Sequence, residues 1–193
     1  MSKSRVIFCR RDGSLLAEMN CYTTRSWAFN EYGQAKITVP KTEPKAVESI
    51  LNFGNRVVII NDVVELWGGV IYPPRSWNKE SITISAFSGE FLLKFRGSPS
   101  SKLGANISYN SPGEAVIRDL MLAQAREGLG IEIGEIDFSG ESGASTAKKM
   151  SFYDAVQDLA STEGFDWSVT PEIDANNKLM FKFNWYKARG IRR

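Results

Sequence analysis

Residues 65–87, ELWGGVIYPPRSWNKESITISAF, read as two strands separated by a proline pair and a polar turn. Trp67, the bulkiest residue of the first strand, stands directly before Gly68 and Gly69. Glycine weakens a strand interior unless the strand bends, bulges or lets another backbone come close. Sheets that curl into small barrels need such points, so Gly68 and Gly69 are expected at a corner where a strand bends to close a barrel. In ESITISAF, Ile82 and Ile84 alternate with Ser81, Thr83 and Ser85, the pattern of a strand with one dry face.

The stretches upstream carry the same signals. RVIFCRRDGSLLAEMN places two apolar runs around Asp12-Gly13, a pair favoured by two-residue hairpin turns because both centres need positive φ. SWAFNEYGQAKITVP predicts two short strands broken at Tyr32-Gly33, with Ala35, Ile37 and Val39 on one face and Pro40 as the stop. EPKAVESILNFGN predicts a short helix, with Pro44 near its start, Val47, Ile50 and Leu51 in one stripe and Gly54 after its end. RVVII is another strand, turning at Asn61-Asp62 into the Trp67 strand. SGEFLLKFRG closes this part as a turn of helix or a strand. Seven short strands with one small helix fit a closed or split barrel better than an open sheet.

The composition shifts at GSPSSKLGANISYNSP, which sets an expected boundary between residues 1–97 and 98–193. Ser111, Pro112 and Glu114 form a helix start with a capping box; Val116, Leu120 and Ala123 line one stripe, and Gly128 and Gly130 stop the helix. IEIGEIDF is a strand. Ser151 and Asp154 repeat the box before a stripe of Phe152, Ala155, Val156, Leu159 and Ala160, ended by Gly164. The chain then returns as a hairpin around residues 174–177, whose second strand alternates Leu179, Phe181, Phe183 and Trp185 with polar or mixed positions. The class is α+β: an N-terminal split β-barrel, then a smaller helix-strand-helix domain with a returning β-hairpin.

Lys and Arg number 24 against 22 Asp and Glu, so no global field attracts nucleic acid or acidic lipid. The exception is the C-terminal YKARGIRR, with Lys187, Arg189, Arg192 and Arg193. The chain has no histidine, which excludes His-based triads, and its two cysteines lack any zinc-ligand spacing. No signal peptide or membrane span is legible. Cys9 and Cys21 are therefore expected as reduced, buried, apolar residues of a protein made in the cytoplasm.

Glu132, Glu135 and Asp137 fall at mixed parity along one strand, and Glu141 lies in a loop. They do not set up the paired carboxylates of glycoside hydrolysis. GLGIEIG follows a helix and precedes a strand, the reverse of a dinucleotide-binding fingerprint. No catalytic, metal or cofactor residue is predicted. Trp27, Tyr72, Trp77, Trp167, Trp185 and Tyr186 could stack bases or sugars, but basic residues are not interleaved with them in one patch.

The series LLAEM, SWAFNEYGQAKITVP, GNRVVIINDVVELWGGVIYPPRSW and ITISAFSGEFLLKFR resembles the opening of bacteriophage tail hub proteins, the baseplate-hub and tail-tip components of long-tailed phages and prophages. Gly33, Ala35, Ile37, Val39 and Pro40 match a Gly-x-small-x-apolar-x-apolar-Pro stretch; Gly54, Asn55 and Val57 match the next strand, and Phe91 to Arg96 the apolar segment ending in Arg. The helix starting at Phe152 and the following GFDWSV resemble the family's second part. The similarity covers nearly the whole chain, and family members continue into a further barrel.

The resemblance implies a tail-tube-like barrel and structural work without catalysis or cofactor. It implies a homotrimeric ring under a sixfold tube, contacts with distal-tail, tube and tip or spike proteins, and a place in the virion tail after synthesis in the bacterial cytoplasm. DNA would be passing cargo during ejection, and the chain would insert into no membrane. Gly68, Gly69, Arg189, Arg192 and Arg193 are the candidate shape-setting and partner-facing positions. A closed ring needs a heterologous interface, which strand edges and hairpins could supply.

The alternative is a β-barrel binding module for glycan or single-stranded nucleic acid. Such a module must expose two or more Trp or Tyr on one concave face, whereas a hub buries them. A cell-wall hydrolase would instead need a carboxylate pair with one acid of raised pKa.

Overall fold

The computed structural model describes residues 2–28, 30–60, 66–95, 107–127, 130–145 and 150–187. The chain divides into two compact units: Met1–Phe91 with Thr170–Phe181, and Leu92–Val169 with Lys182–Arg193.

The first unit is built on six antiparallel strands: β1 (Ser2–Cys9), β2 (Leu15–Arg25), β3 (Gln34–Pro40), β4 (Arg56–Ile60), β5 (Trp67–Trp77) and β6 (Ser81–Ser88). They close into a barrel in the order β1-β2-β3-β6-β5-β4. Period-2 alternation explains the closure. Val6 and Phe8, Ala17, Met19 and Cys21, Ala35, Ile37 and Val39, and Ile84 and Ala86 all point into one buried core. The Ser4 and Thr23 hydroxyls, both buried, satisfy each other at 2.8 Å.

β4 is different, because Arg56, Val57, Val58 and Ile59 are all buried. Val57 and Ile59 face the barrel core. On the outer face, Arg56 stacks over Phe181 at 5.3 Å. A strand covered on both sides reads as a continuous apolar run, as RVVII does.

No register irregularity falls at Gly68 or Gly69. Pairing with β4 runs uninterrupted from Trp67↔Ile59 to Val70↔Arg56. The irregularity comes later, where two extra residues, Pro73 and Pro74, stand between the pairs Tyr72↔Ser85 and Arg75↔Ile84. Proline cannot donate to the ladder, so it belongs at such a bulge. The glycines instead permit close approach. A methyl group at Gly68 would collide with Pro171, and one at Gly69 would meet the Phe87 carbonyl and lie 2.8 Å from the Trp67 ring. Gly69 thus lets a large indole fold inward beside its own strand, where its Nε1 donates to the Ser26 carbonyl at 3.2 Å.

Other expectations needed correction. Asp12-Gly13 lies in a five-residue connection rather than a two-residue turn, and only Gly13 has positive φ (89°). The Asp12 carboxylate closes the connection by accepting from the Ser14 amide and hydroxyl. SWAFNEY supplies no strand of its own, so the barrel has six strands rather than seven. The helix expected at EPKAVESILNFGN is absent: residues 41–54 form successive turns, with Ala46 and Ile50 donating back to Glu43 and Val47. Leu51 is buried there but Val47 is exposed, because the segment folds over one side of the barrel core instead of presenting a helical stripe. The turn expected at Asn61-Asp62 lies outside the described residues.

A 3-10 helix, Gly89–Phe95, follows β6. The second unit contains β7 (Ile107–Tyr109), α1 (Pro112–Glu127), β8 (Ile131–Ile136), β9 (Gly143–Ser145) and α2 (Phe152–Glu163). Two long strands, β10 (Phe165–Ile173) and β11 (Leu179–Lys187), complete the chain, with sheet order β10-β11-β8. On α1, the Ser111 hydroxyl accepts from the Glu114 amide at 3.3 Å, but the Glu114 carboxylate reaches the Asn110 amide, one residue before the expected partner. On α2, Ser151 caps through the Asp154 amide, and Gly164 ends the helix at φ 70°. The buried α2 stripe is Phe152, Tyr153, Val156 and Ala160. It packs in a unit whose other large side chains are Phe165, Trp167, Phe183 and Trp185, with Trp185 stacked on Phe165 at 5.1 Å.

The alternation read in β11 is present. Leu179, Phe181, Phe183 and Trp185 are all buried, the first two in the first unit and the last two in the second. Among the described residues, no helix is long and apolar enough to cross a membrane.

Candidate functional site

Within the barrel, closure leaves a free strand edge only where one strand outruns its neighbour. β5 does this: past Ile71 it has β6 as its only strand neighbour among the described residues. The exposed half of β5 therefore carries side chains that the barrel core does not need. Arg75 and Trp77 lie two residues apart and project to one side, and Trp77 pairs across the ladder with Ile82.

The turn segment 41–54 faces this side. Together they frame an open cavity of about 200 Å³, lined by Ala46, Leu51 and Ile82 and by Lys41, Glu48, Arg75 and Trp77. Arg75 is positioned from two directions, by the Glu48 carboxylate at 3.7 Å and by the Phe53 ring at 5.3 Å. Trp77 is 71% exposed.

The aromatics singled out in the sequence do not form one platform. Trp167 and Trp185 are core residues, Tyr186 is half-buried, and Tyr72 packs in a cluster with Tyr32, Phe87 and Phe91 at 4.5 to 6.0 Å between rings. Trp27 is exposed with Arg25 stacked over it at 4.9 Å. Trp77 is the one Trp or Tyr lining the cavity. Gly68 and Gly69 are buried within the barrel wall, while Arg189, Arg192 and Arg193 lie outside the described residues. The sequence reading missed Lys41, Glu48 and Arg75, because they come together only when the 41–54 turns fold beside β5.

Asp137, one of the acids weighed for hydrolysis, is held below the usual carboxylate range by hydrogen bonds from Ser139, the opposite of what a general acid needs. Both cysteines are free and buried; burial pushes Cys9 up to about 11 and Cys21 up to about 12. Such thiols carry almost no thiolate at neutral pH. Burial also lowers the pKa of Arg56, against the pull of Cys9 and Asp12. Among the described residues, no group of three Cys, Asp or Glu is placed to hold a metal ion.

No protein-family model matches the chain, and no curated protein matches it by sequence. Solved structures do match. The prophage tail protein gp18 from Listeria monocytogenes EGD-e aligns over 97% of this chain and 52% of its own, at 15% identity and TM-score 0.58. The prophage MuSo2 43 kDa tail protein from Shewanella oneidensis aligns over 92% of this chain and 54% of its own, at 12% identity and TM-score 0.56. This is the fold of phage tail proteins. The E. coli c3393 protein, a type VI secretion component described as similar to the T4 tail proteins gp27 and gp5, shares it over 97% of this chain and 47% of its own. Its identity is 12% and its TM-score 0.55. The chain spans about half the length of the solved structures it matches. At such identities the likeness is one of fold.

Proposed function

We propose that the chain is a structural subunit of a phage or prophage-derived tail tip or baseplate hub. In this reading it forms a trimeric ring that continues the tail channel and joins tube to tip. The observation that carries it is the tail-protein fold, shared over 92 to 97% of the chain with proteins of two tail systems and a secretion system. The work is mechanical, without catalysis, and the particle's tail is where the chain resides. DNA passes through; distal-tail, tube and tip or spike proteins are the neighbours.

The closed barrel supports this reading, because rings stacked along a channel need rigid units that meet through faces. Gly68 and Gly69 act by setting the shape of the barrel wall. Arg189, Arg192 and Arg193 reach a neighbouring subunit, and the folding boundary falls near residue 97.

Light scattering across a concentration series tests the ring. The expected mass rises towards three times the 21.5 kDa of one chain. A single-chain mass at every concentration, with no association when tail-tube protein is added, would overturn it.

A further inference from the structure

The cavity beside β5 joins the edge of the barrel core to polar surface: Leu51 belongs to the core and Ala46 and Ile82 pack against it. Its lining, Ala46, Leu51 and Ile82, is apolar, yet its wall is an indole left mostly in water and its rim is charged. At about 200 Å³ it is smaller than the roughly 300 to 1,000 Å³ of sites for drug-sized ligands, so it suits a single ring-sized group. Apolar walls with a few fixed polar groups are the mark of a ligand site.

The rim indicates the charge of the guest. Lys41 and Arg75 outnumber Glu48. The Arg75 guanidinium has a planar fork of five donors, and its only ionic partner among the described residues, Glu48, stands 3.7 Å away with its own side chain 82% exposed. Phe53 holds the guanidinium face, which leaves donor edges for a carboxylate in the bidentate geometry arginine favours. Trp77 offers a flat apolar surface with a polar edge.

We infer that this cavity binds one sugar unit bearing a carboxylate, its C–H face on Trp77 and its acid on Arg75 and Lys41. Glu48 accepts from a ring hydroxyl. One aromatic wall serves one sugar, so the site is a single subsite rather than the extended groove of a glycan-binding module. Every residue in the site belongs to the first unit, and none of them was used to argue the ring.

The test titrates the full chain with glucuronic acid, glucose and thymidine monophosphate, followed by tryptophan fluorescence and ligand-observed NMR. The expected result is saturable binding of glucuronic acid with a Kd on the order of 1 mM. Glucose, lacking the charge, should bind about tenfold more weakly or worse. Trp77→Ala should abolish binding, Trp77→Tyr should retain part of it, and Arg75→Gln should bring glucuronic acid down to the level of glucose. Because Trp77 is so exposed, circular dichroism of Trp77→Ala should match the parent; if that variant does not fold, Arg75→Gln and Trp77→Tyr carry the decision. No saturable response to glucuronic acid, binding unchanged in Arg75→Gln, or tighter binding of thymidine monophosphate would each overturn the assignment. Light scattering on the same samples keeps this outcome separate from that of ring assembly.

Discussion

Gly68 in β5 and Pro171 in β10 share one space: the ring of the proline occupies the position that a side chain at 68 would need. Gly68 does not have positive φ, so its requirement is room and not backbone freedom. Gly68→Ala should therefore destabilise the protein by about 1–3 kcal/mol through overpacking. The urea midpoint should fall with the slope unchanged. Adding Pro171→Gly should recover part of the loss, because the two positions touch and their effects are not additive. An unchanged midpoint in Gly68→Ala would mean that the hairpin simply moves aside.

Trp67 and Gly69 make a second such pair, inside the barrel. The indole is among the largest fully buried side chains, and its removal leaves a void in a closed core. Trp67→Ala should cost about 3–5 kcal/mol. Gly69→Ala should cost more than Gly68→Ala, since one of its obstacles is the Phe87 backbone carbonyl of a paired strand, which cannot rotate away as a side chain can. Thermal unfolding of the two alanine variants side by side gives the order.

These two pairs also mark the limit of what could be read from the chain. Patterns that depend on near neighbours were legible: Ala35, Ile37 and Val39 on one strand face, the Ser151 and Gly164 caps, and the run from Leu179 to Trp185 all lie where they were expected. The contact that demands glycine at position 68, with Pro171, lies in the last hairpin and leaves no local trace. Val47, Ile50 and Leu51 have helical spacing, but the barrel offers burial only to Leu51 and, in part, to Ile50. Tertiary context therefore overrides the local pattern. The cavity was invisible for the same reason, since Glu48 and Arg75 meet only when those turns fold against β5.

The ends of α2 separate two local effects. Ser151 accepts from the Asp154 amide, so Ser151→Ala should cost about 0.5–2 kcal/mol by leaving that amide without its cap. Gly164 has φ 70° and open space where a methyl group would sit. Gly164→Ala should cost about 1–2 kcal/mol from the left-handed backbone alone, with no packing contribution. Gly164→Asn, which tolerates that conformation better, should cost less than Gly164→Ala. Equal losses for Ala and Asn in chemical denaturation would contradict that account.

The two thiols give the protein a defined response to alkaline pH. Cys21 lies in the barrel core and Cys9 is buried at the end of β1, where burial outweighs the pull of Arg56. Their pKa values of about 11 and about 12 stand above the value of about 8.5 expected in an unfolded chain. Below about pH 8.5 both states keep these protons, and the thiols add no pH dependence. Above it the unfolded chain loses protons that the folded chain retains, so stability should fall as pH rises through about 11 and 12. Cys9→Ala together with Cys21→Ala should flatten that decline. At pH 8 an aromatic disulfide reagent should leave the native protein largely unlabelled and titrate both thiols once urea unfolds it. Rapid labelling in native buffer would show that the barrel opens around Cys9 or Cys21 far more often than their complete burial implies.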